Sequence, residues 1–355
     1  MRIIGLDVGT GTIVCAEKGA DGSPAYHKVR DAFFKIDLLD LMKGTVADFG
    51  ENMLKKSGVN YMKVDGALHI LGDDAFKFAN LFHKECLRPM ARGVLNPREP
   101  IARAMVAELI RGVTGKGTPE DVIYCCVPAS PIDSDFDTAY HTDAIREIVS
   151  GLGYQHIGIM PEGLAVVYSE CEKSQYTGVG ISCGAGMINV AFSYFGMPVF
   201  AFSVARSGDW IDSNAAKAVN ETSAAMQLVK ESGMDMAAPK DDRERAVSVY
   251  AEALASYVVD RFCKLYAETD PKTLPHVTDP IDVVFSGGTS LLKGFGDALQ
   301  RKIAAGFPVP VGKVVQAQPP LMAVATGLMR AAAAEAEKAV KPAVAPAAAP
   351  AAKPA

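Results

Sequence analysis

Three glycine-rich turns stand out because each follows an apolar run, as in a strand that ends where a ligand can approach. They read DVGTGT at 7–12, SCGAGM at 182–187 and SGGTS at 286–290. A turn without side chains aims backbone N–H groups at an anion and lets phosphate oxygens come close. For any one turn the alternative is steric, a sharp bend that binds nothing. The repetition of the first two turns favours binding.

The side chains of the first turn suit a phosphate bound together with a metal ion. Asp7 ends an apolar run and can reach a metal through water, while Thr10 and Thr12 place hydroxyls beside free N–H groups. None of the turns has the G-x-x-x-x-G-K-S/T pattern of a Walker loop or the G-x-G-x-x-G pattern of a dinucleotide fold. The turns therefore predict a magnesium–nucleotide site of another kind.

The elements that must position these turns repeat in two halves, which begin near residues 1 and 177. Each half opens with a glycine hairpin and continues with strands interleaved with helices, which predicts a duplicated α/β architecture with a cleft between the halves. Helical pattern is also present at 38–56, and a strand pair at 59–72. The last segment, KPAVAPAAAPAAKPA, lacks the apolar periodicity needed to pack and predicts a flexible tail.

The composition is that of a soluble globular chain long enough for two domains. Of its 355 residues 49% are hydrophobic and 22% charged, and the net charge of −5 argues against nucleic acid as the main partner. Seven cysteines without a C-x-x-C pair are typical of a reducing cytoplasm. With no signal-peptide pattern and no N-terminal amphipathic helix, a cytoplasmic location without direct membrane binding is expected.

A family resemblance rests on five segments that occur in a fixed order over about residues 1–330. They are GLDVGTGTIV, VIYCCVP with AIREIVSGLGY, GVGISCGAGMINVAF with its following SGDWID, VVFSGGTSLLKGF, and PLMAVATGLMRA. In this order they resemble the bacterial actin-like ATPases, MreB and MamK above all, within the actin, heat-shock-chaperone and sugar-kinase superfamily. The resemblance implies an α/β, two-lobed actin-like ATPase fold with duplicated five-stranded sheets flanked by helices and a nucleotide in the central cleft.

The same resemblance implies domain boundaries. Lobe I would span 1–150 with a small subdomain inserted at about 32–95, and lobe II would span 151–320 with a small helical subdomain at about 213–278. A closing helix at 321–333 would return to lobe I, followed by a disordered Ala/Pro/Lys tail at 334–355.

The resemblance also implies site residues for ATP and Mg²⁺. Phosphate and metal would be held by Asp7 (through water to the metal), Gly9, Thr10, Gly11 and Thr12, and the β- and γ-phosphates would meet the backbone of Gly184, Ala185, Gly186 and Met187. Gly287, Gly288 and Thr289 would pack on the adenosine. Lys230 and Glu231 would flank purine and ribose, with a solvated helix face as the alternative. Glu147 would be the catalytic carboxylate that orients the attacking water, with an ordinary exposed helix acid as the alternative.

Two departures from the family pattern bear on catalysis. Ser182 stands where the family has an aspartate, so one charged anchor of the magnesium hydration shell is missing. Pro161-Glu162-Gly163 replaces the usual Glu-Pro before a helix. We therefore expect a slow ATPase, and we expect Ser182→Asp to speed it unless another group, such as Glu162, already fills that role.

Two functions remain open at this level. One is a cytoskeletal protein that binds Mg-ATP and polymerises head to tail, with slow ATP hydrolysis controlling filament turnover, and that meets adaptor proteins through its tail. The other is a non-polymerising nucleotide-binding adaptor on the same fold that serves cell-division or pilus-type machinery. A chaperone is disfavoured because no separate substrate-binding β domain is present in the sequence.

Overall fold

The computed structural model describes residues 1–37, 52, 54–82 and 84–340. The predicted helical stretch 38–56 thus lies mostly outside the described residues. The strands, in chain order, are β1 (Ile3–Val8), β2 (Thr12–Lys18), β3 (Pro24–Arg30), β4 (Phe33–Asp37), β5 (Tyr61–Val64), β6 (Ala67–Leu71), β7 (Met90–Ala91), β8 (Val94–Leu95), β9 (Val122–Val127), β10 (His156–Pro161), β11 (Gly178–Cys183), β12 (Ile188–Tyr194), β13 (Met197–Val204), β14 (Ile281–Ser286) and β15 (Val311–Gln316).

The helices of the described residues connect and cover these strands. In chain order they are α1 (Asp73–Leu81), α2 (Ala102–Thr114), α3 (Ala139–Gly151), α4 (Glu162–Glu170), α5 (Gly208–Val219), α6 (Ser223–Glu231), α7 (Asp242–Glu268), α8 (Phe295–Ala304) and α9 (Ala323–Val340), with short 3₁₀ turns at Glu172–Ser174 and Gly288–Leu291. Across the described ranges, no helix has the length and apolar character needed to cross a membrane.

Two five-stranded sheets of the same topology form the framework. Their strand orders are β10-β9-β1-β2-β3 and β13-β12-β11-β14-β15. In each sheet the first three strands of the half form an antiparallel meander, and two later strands add in parallel. The predicted duplication is therefore confirmed at the level of strand pairing.

Each sheet has its own apolar core, built from strand faces and amphipathic helices. In the first half, α2 and α3 place Val106, Leu109 and Ile145 against β1 and β9. In the second half, α7 places Leu254 and Phe262 under β11–β13. Burying such side chains stabilises by about 1.5–3 kcal/mol each, so each half has a core that can fix the ends of its strands.

Two helices, α4 and α9, lie between the two sheets and cross at very close range. A Cβ placed on Gly327 of α9 would overlap the carbonyl oxygen of Ala165 in α4, and one placed on Gly5 of β1 would overlap the carbonyl of Ala325. The absence of side chains at these two glycines allows backbone to pack on backbone. The crossing joins the two halves at the base of the cleft between them.

The closing helix α9 continues past its predicted end at residue 333 to Val340. The run AAAAEAEKAV consists mainly of strong helix formers, and small alanines allow close packing. Ala332 and Ala336 are buried and contact Val122 at the start of β9. The expectation that the chain is an unpacked tail from 334 onward is therefore wrong for these turns, while 341–355 lies outside the described residues.

The segment after β9 makes a second connection between the halves. Ser203 of β13 donates its backbone N–H to Ser130 O and accepts from Ile132 N, each at 3.0 Å. The Asp133 carboxylate accepts from the hydroxyl of Tyr257 in α7 at 3.1 Å. The chain thus leaves the first sheet, binds the edge of the second, and returns in α3.

Candidate functional site

A cleft of about 620 Å³ lies between the two halves, within the size range of small-molecule sites. All three glycine-rich turns line it, because β1, β11 and β14 all end there. Most of the sequence-predicted site residues are brought together in its wall. They are Asp7, Gly9, Thr10, Gly11, Thr12, Gly184, Ala185, Lys230, Glu231, Gly287, Gly288 and Thr289.

The first two turns have matching geometry. β1 pairs with β2 up to Val8–Ile13, and β11 pairs with β12 up to Cys183–Ile188, so the loops 9–12 and 184–187 have the same length. The third turn is tied to the second, because the Thr289 hydroxyl donates to Gly184 O at 3.0 Å. Gly9–Thr12 of the first turn and Gly184 and Ala185 of the second therefore line one cleft from opposite halves.

Gly186 and Met187, the last two residues of the second turn, do not line the cleft with Gly184 and Ala185. A Cβ on Gly186 would overlap the Thr10 hydroxyl and would lie 2.8 Å from Gly93 N. Gly93, in the tip between β7 and β8, also donates its N–H to Thr10 Oγ1 at 2.9 Å. The β7–β8 hairpin is therefore wedged between the first and second turns.

Two carboxylates lie at the base of the cleft, with Glu162 buried and Asp7 half-buried. Burial raises the pKa of Asp7, and a hydrogen bond from the Cys126 thiol at 3.1 Å partly offsets that rise. Burial and the nearby Asp7 charge raise the pKa of Glu162. Like charges in a desolvated place disfavour double ionisation, so a cation at this point would be favourable.

Ser182 donates a hydrogen bond from its hydroxyl to Glu162 Oε2 at 3.0 Å, and both side chains are buried. Glu162 is the first residue of α4, where the helix dipole favours negative charge. Glu162 of α4 thus places a carboxylate beside position 182, where the family has an aspartate and this chain has a serine. The shifted order Pro161-Glu162 was the sequence signal for this, although sequence alone did not locate the side chain.

Glu147, assigned by resemblance to orient water, is not in the cleft. It lies on the solvent face of α3 with 61% of its side chain exposed, and it forms an ion pair with Arg103. The opposite face of α3 carries the buried residues Ala144 and Ile148, which fix the helix against the first sheet. This location corrects the expectation for Glu147 and leaves Glu162 as the glutamate near the phosphate turns.

Lys230 is not on a solvated helix face. Its Nζ donates to Asp212 Oδ2 at 2.6 Å and to Gly208 O at 3.0 Å, and only 11% of the lysine and 4% of the aspartate side chain are exposed. Burial raises the pKa of Asp212 to about 6 although Lys230 opposes the rise. Glu231 accepts from Gln227 at 2.8 Å, and both line the cleft.

Residues 1–332 match a protein-family model described as Volactin. The chain belongs to the volactin family. No curated protein sequence gave a significant match to this volactin-family chain.

Solved structures with the same architecture cover nearly the whole volactin-family chain. A MamK double helical filament aligns with a TM-score of 0.67 at 16% identity over 93% of this chain and 98% of that one. MreB 5 of Spiroplasma citri bound to AMPPNP aligns with 0.65 at 14% identity over 96% and 99%. The ethanolamine utilization protein EutJ of Carboxydothermus hydrogenoformans aligns with 0.51 at 14% over 93% and 89%. The predicted two-lobed actin-like ATPase fold is thereby confirmed.

Several charged residues of the cleft wall escaped sequence reasoning, among them Arg88, Asp31 and Asp209. Arg88 donates through Nη1 to both oxygens of Asp209, at 3.0 and 2.8 Å. Asp31 is buried, accepts from Met90 N at 3.2 Å, and has a pKa raised well above its usual range by burial. Asp209 carried a weak signal, since it belongs to the SGDWID segment, whereas Arg88 lies between α1 and β7 without a motif.

Proposed function

We propose that this protein binds ATP together with Mg²⁺ in the interlobe cleft and assembles into filaments whose turnover is set by slow ATP hydrolysis. The observation that supports it most is the convergence of the two duplicated turns, through Gly9–Thr12 and Gly184–Ala185, on one cleft with the carboxylates of Asp7 and Glu162 at its base. Nucleotide phosphates suit such turns because backbone N–H groups bind anions without side-chain interference.

The residues of the cleft base suit a magnesium ion accompanying the nucleotide. Burial raises the pKa of both Asp7 and Glu162, and the nearby Asp7 charge raises that of Glu162 further. Bound there with the phosphates, Mg²⁺ would neutralise charge on the phosphoryl oxygens. Asp7 would hold the ion through water, as carboxylates at such sites commonly do, and Cys126 would keep one Asp7 oxygen in place by its hydrogen bond.

The water-orienting role passes in this proposal from Glu147 to Glu162. A carboxylate can hydrogen-bond a water and accept its proton, and Glu162 lies in the cleft wall beside Ser182 and Asp7. Its raised pKa makes it a stronger base but leaves a smaller ionised fraction at neutral pH. The smaller ionised fraction favours slow turnover.

The adenosine half of the nucleotide would occupy the opposite end of the cleft. Gly287, Gly288 and Thr289 offer a turn without bulk, and the apolar Met234 and Leu291 lie nearby in the same wall. Glu231 would meet the ribose. Lys230, neutralised by Asp212, would serve to fix α6 against α5 more than to bind charge.

Polymerisation rests on family membership and on likeness in fold to the MamK filament structure. A head-to-tail contact that does not close on itself produces a filament. Binding of adaptor proteins through the tail stays a prediction.

The test combines calorimetry of AMPPNP with negative-stain microscopy of the same samples. Saturable, magnesium-enhanced binding and filaments are expected, and Asp7→Asn should weaken binding more with magnesium than without it. Binding without filaments over a range of salt and protein concentrations would favour the adaptor function. No binding at all would contradict the proposal.

A further inference from the structure

The β7–β8 hairpin, which follows Arg88 in the chain, contacts the first two glycine-rich turns. Gly93, at its tip, hydrogen-bonds Thr10 of the first turn, and a Cβ on Gly93 would lie 2.6 Å from Met187 Sδ of the second. Arg88 precedes this hairpin and lines the cleft. The hairpin that follows Arg88 is therefore in contact with both turns, and the Arg88 carbonyl accepts a hydrogen bond from Asn96 Nδ2 at 3.4 Å.

Arg88 crosses the cleft to the second half. Its Nη1 donates to both carboxylate oxygens of Asp209, at the start of α5. Asp209 donates its own backbone N–H to Ala185 O in the second turn at 2.9 Å. The guanidinium is thus linked through Asp209 to the second turn.

The ion pair is arranged so that it can accept a further anion. Asp209 keeps 44% and Arg88 26% of its side chain exposed, in contrast to the buried Lys230–Asp212 pair. Burial works against the charge of Arg88, but Asp209, Asp31 and Asp212 more than offset it and the pKa of Arg88 is raised. A guanidinium offers five N–H donors in a planar fork, enough to bind a carboxylate and a phosphate together.

We infer that Arg88 binds the terminal phosphate of the nucleotide, oriented by Asp209, and so makes the cleft discriminate a nucleoside triphosphate from a diphosphate. This inference rests on the proposed nucleotide binding and adds the residue that binds the third phosphate. Because Arg88 belongs to the insertion and Asp209 to the second half, the same contact links triphosphate binding to the closed arrangement of the halves.

The test is calorimetry of AMPPNP and ADP, each with magnesium, on the full chain. For Arg88→Met, loss of a charge-assisted contact should weaken AMPPNP by about 10- to 100-fold and leave ADP nearly unchanged. Asp209→Asn keeps a hydrogen-bonding partner and should weaken AMPPNP less. Arg92→Met is the matched control, since Arg92 lies in the same hairpin outside the cleft wall, and it should bind both nucleotides as the wild type does.

The ratio of the two affinities separates the outcomes even if a variant is partly unfolded, because both ligands report on the same folded fraction. Arg88→Lys, which keeps the charge without the fork, should give an intermediate ratio. If Arg88→Met and Asp209→Asn lose affinity for AMPPNP and ADP equally, the ion pair only holds the two halves together. That result would overturn the inference. An Arg92→Met loss as large as that of Arg88→Met would overturn it as well. A wild type that binds neither nucleotide would instead contradict the proposed function.

Discussion

Replacing Ser182 with aspartate should destabilise the nucleotide-free protein, and the loss should grow with pH. Ser182 Oγ lies 3.0 Å from Glu162 Oε2, and both side chains are buried. An aspartate at 182 would face a carboxylate that Asp7 already disfavours as an ion. The family-like residue is therefore incompatible with Glu162 in its present place.

The size of the loss follows from two limiting states. If Glu162 keeps a proton, the pair shares it, and the cost is mainly that of burying one more charge, about 2 kcal/mol by comparison with other imperfectly compensated groups. If both carboxyls are ionised, two like charges 4 Å apart repel by about 4 kcal/mol at an effective dielectric constant of 20. The first state should dominate at pH 6.5, and the second only above the pKa of Glu162, which the added carboxylate would raise further.

The assay is urea unfolding of wild type, Ser182→Asp, Glu162→Gln and the double variant. Each is measured at pH 6.5 and at a pH well above the pKa of Glu162. The double variant keeps a single carboxylate at this pair of positions, with a hydrogen-bonding amide beside it. It should therefore recover most of the stability lost in Ser182→Asp, and the remaining loss should no longer grow with pH. A Ser182→Asp penalty that is the same at both pH values and is not relieved by Glu162→Gln would refute the reasoning. Such a result would mean that 182 and 162 do not interact energetically.

Three further outcomes follow from the same structure. Because burial and the Asp7 charge raise the folded-state pKa of Glu162 to about 8, the folded protein binds more protons than the unfolded chain between the ordinary glutamate pKa and that value, so its stability should fall as pH rises over this range and level off above it. Glu162→Gln should flatten the fall, and a pH profile parallel to that of the wild type would contradict the prediction. Phosphate release should drop by about 10²–10⁴-fold in Glu162→Gln, the usual range for a lost general base. It should be unchanged in Glu147→Ala, whose side chain faces solvent. A drop in Glu147→Ala without one in Glu162→Gln would return the water-orienting role to Glu147. Truncation after Val340 should leave the melting temperature unchanged, whereas truncation after Ala331 removes buried helix turns and should lower it by several degrees; equal melting temperatures would show that those turns add no stability.

The sequence predicted the parts of the site that depend on local chain chemistry. Glycine turns after apolar runs are recognisable because their backbone requirement is local, and the duplicated order of strands then placed the turns at 9–12 and 184–187 opposite one another. The length of helix α9 was underestimated because its alanine-rich end resembles low-complexity sequence. The same alanines form helix readily and pack closely on a strand, as Ala336 does.

The sequence could not assign the charged residues of the cleft, because their roles depend on distances between elements far apart in the chain. Glu147 and Glu162 are both glutamates beside predicted helices, and only the packing face of α3 and the entry of α4 at the cleft distinguish them. Ser182 looked like a lost ligand because its partner is twenty positions away in the chain, on another element. A missing charge at one position of a site is thus evidence of lost function only after the space around that position has been searched for a carboxylate that reaches it from elsewhere.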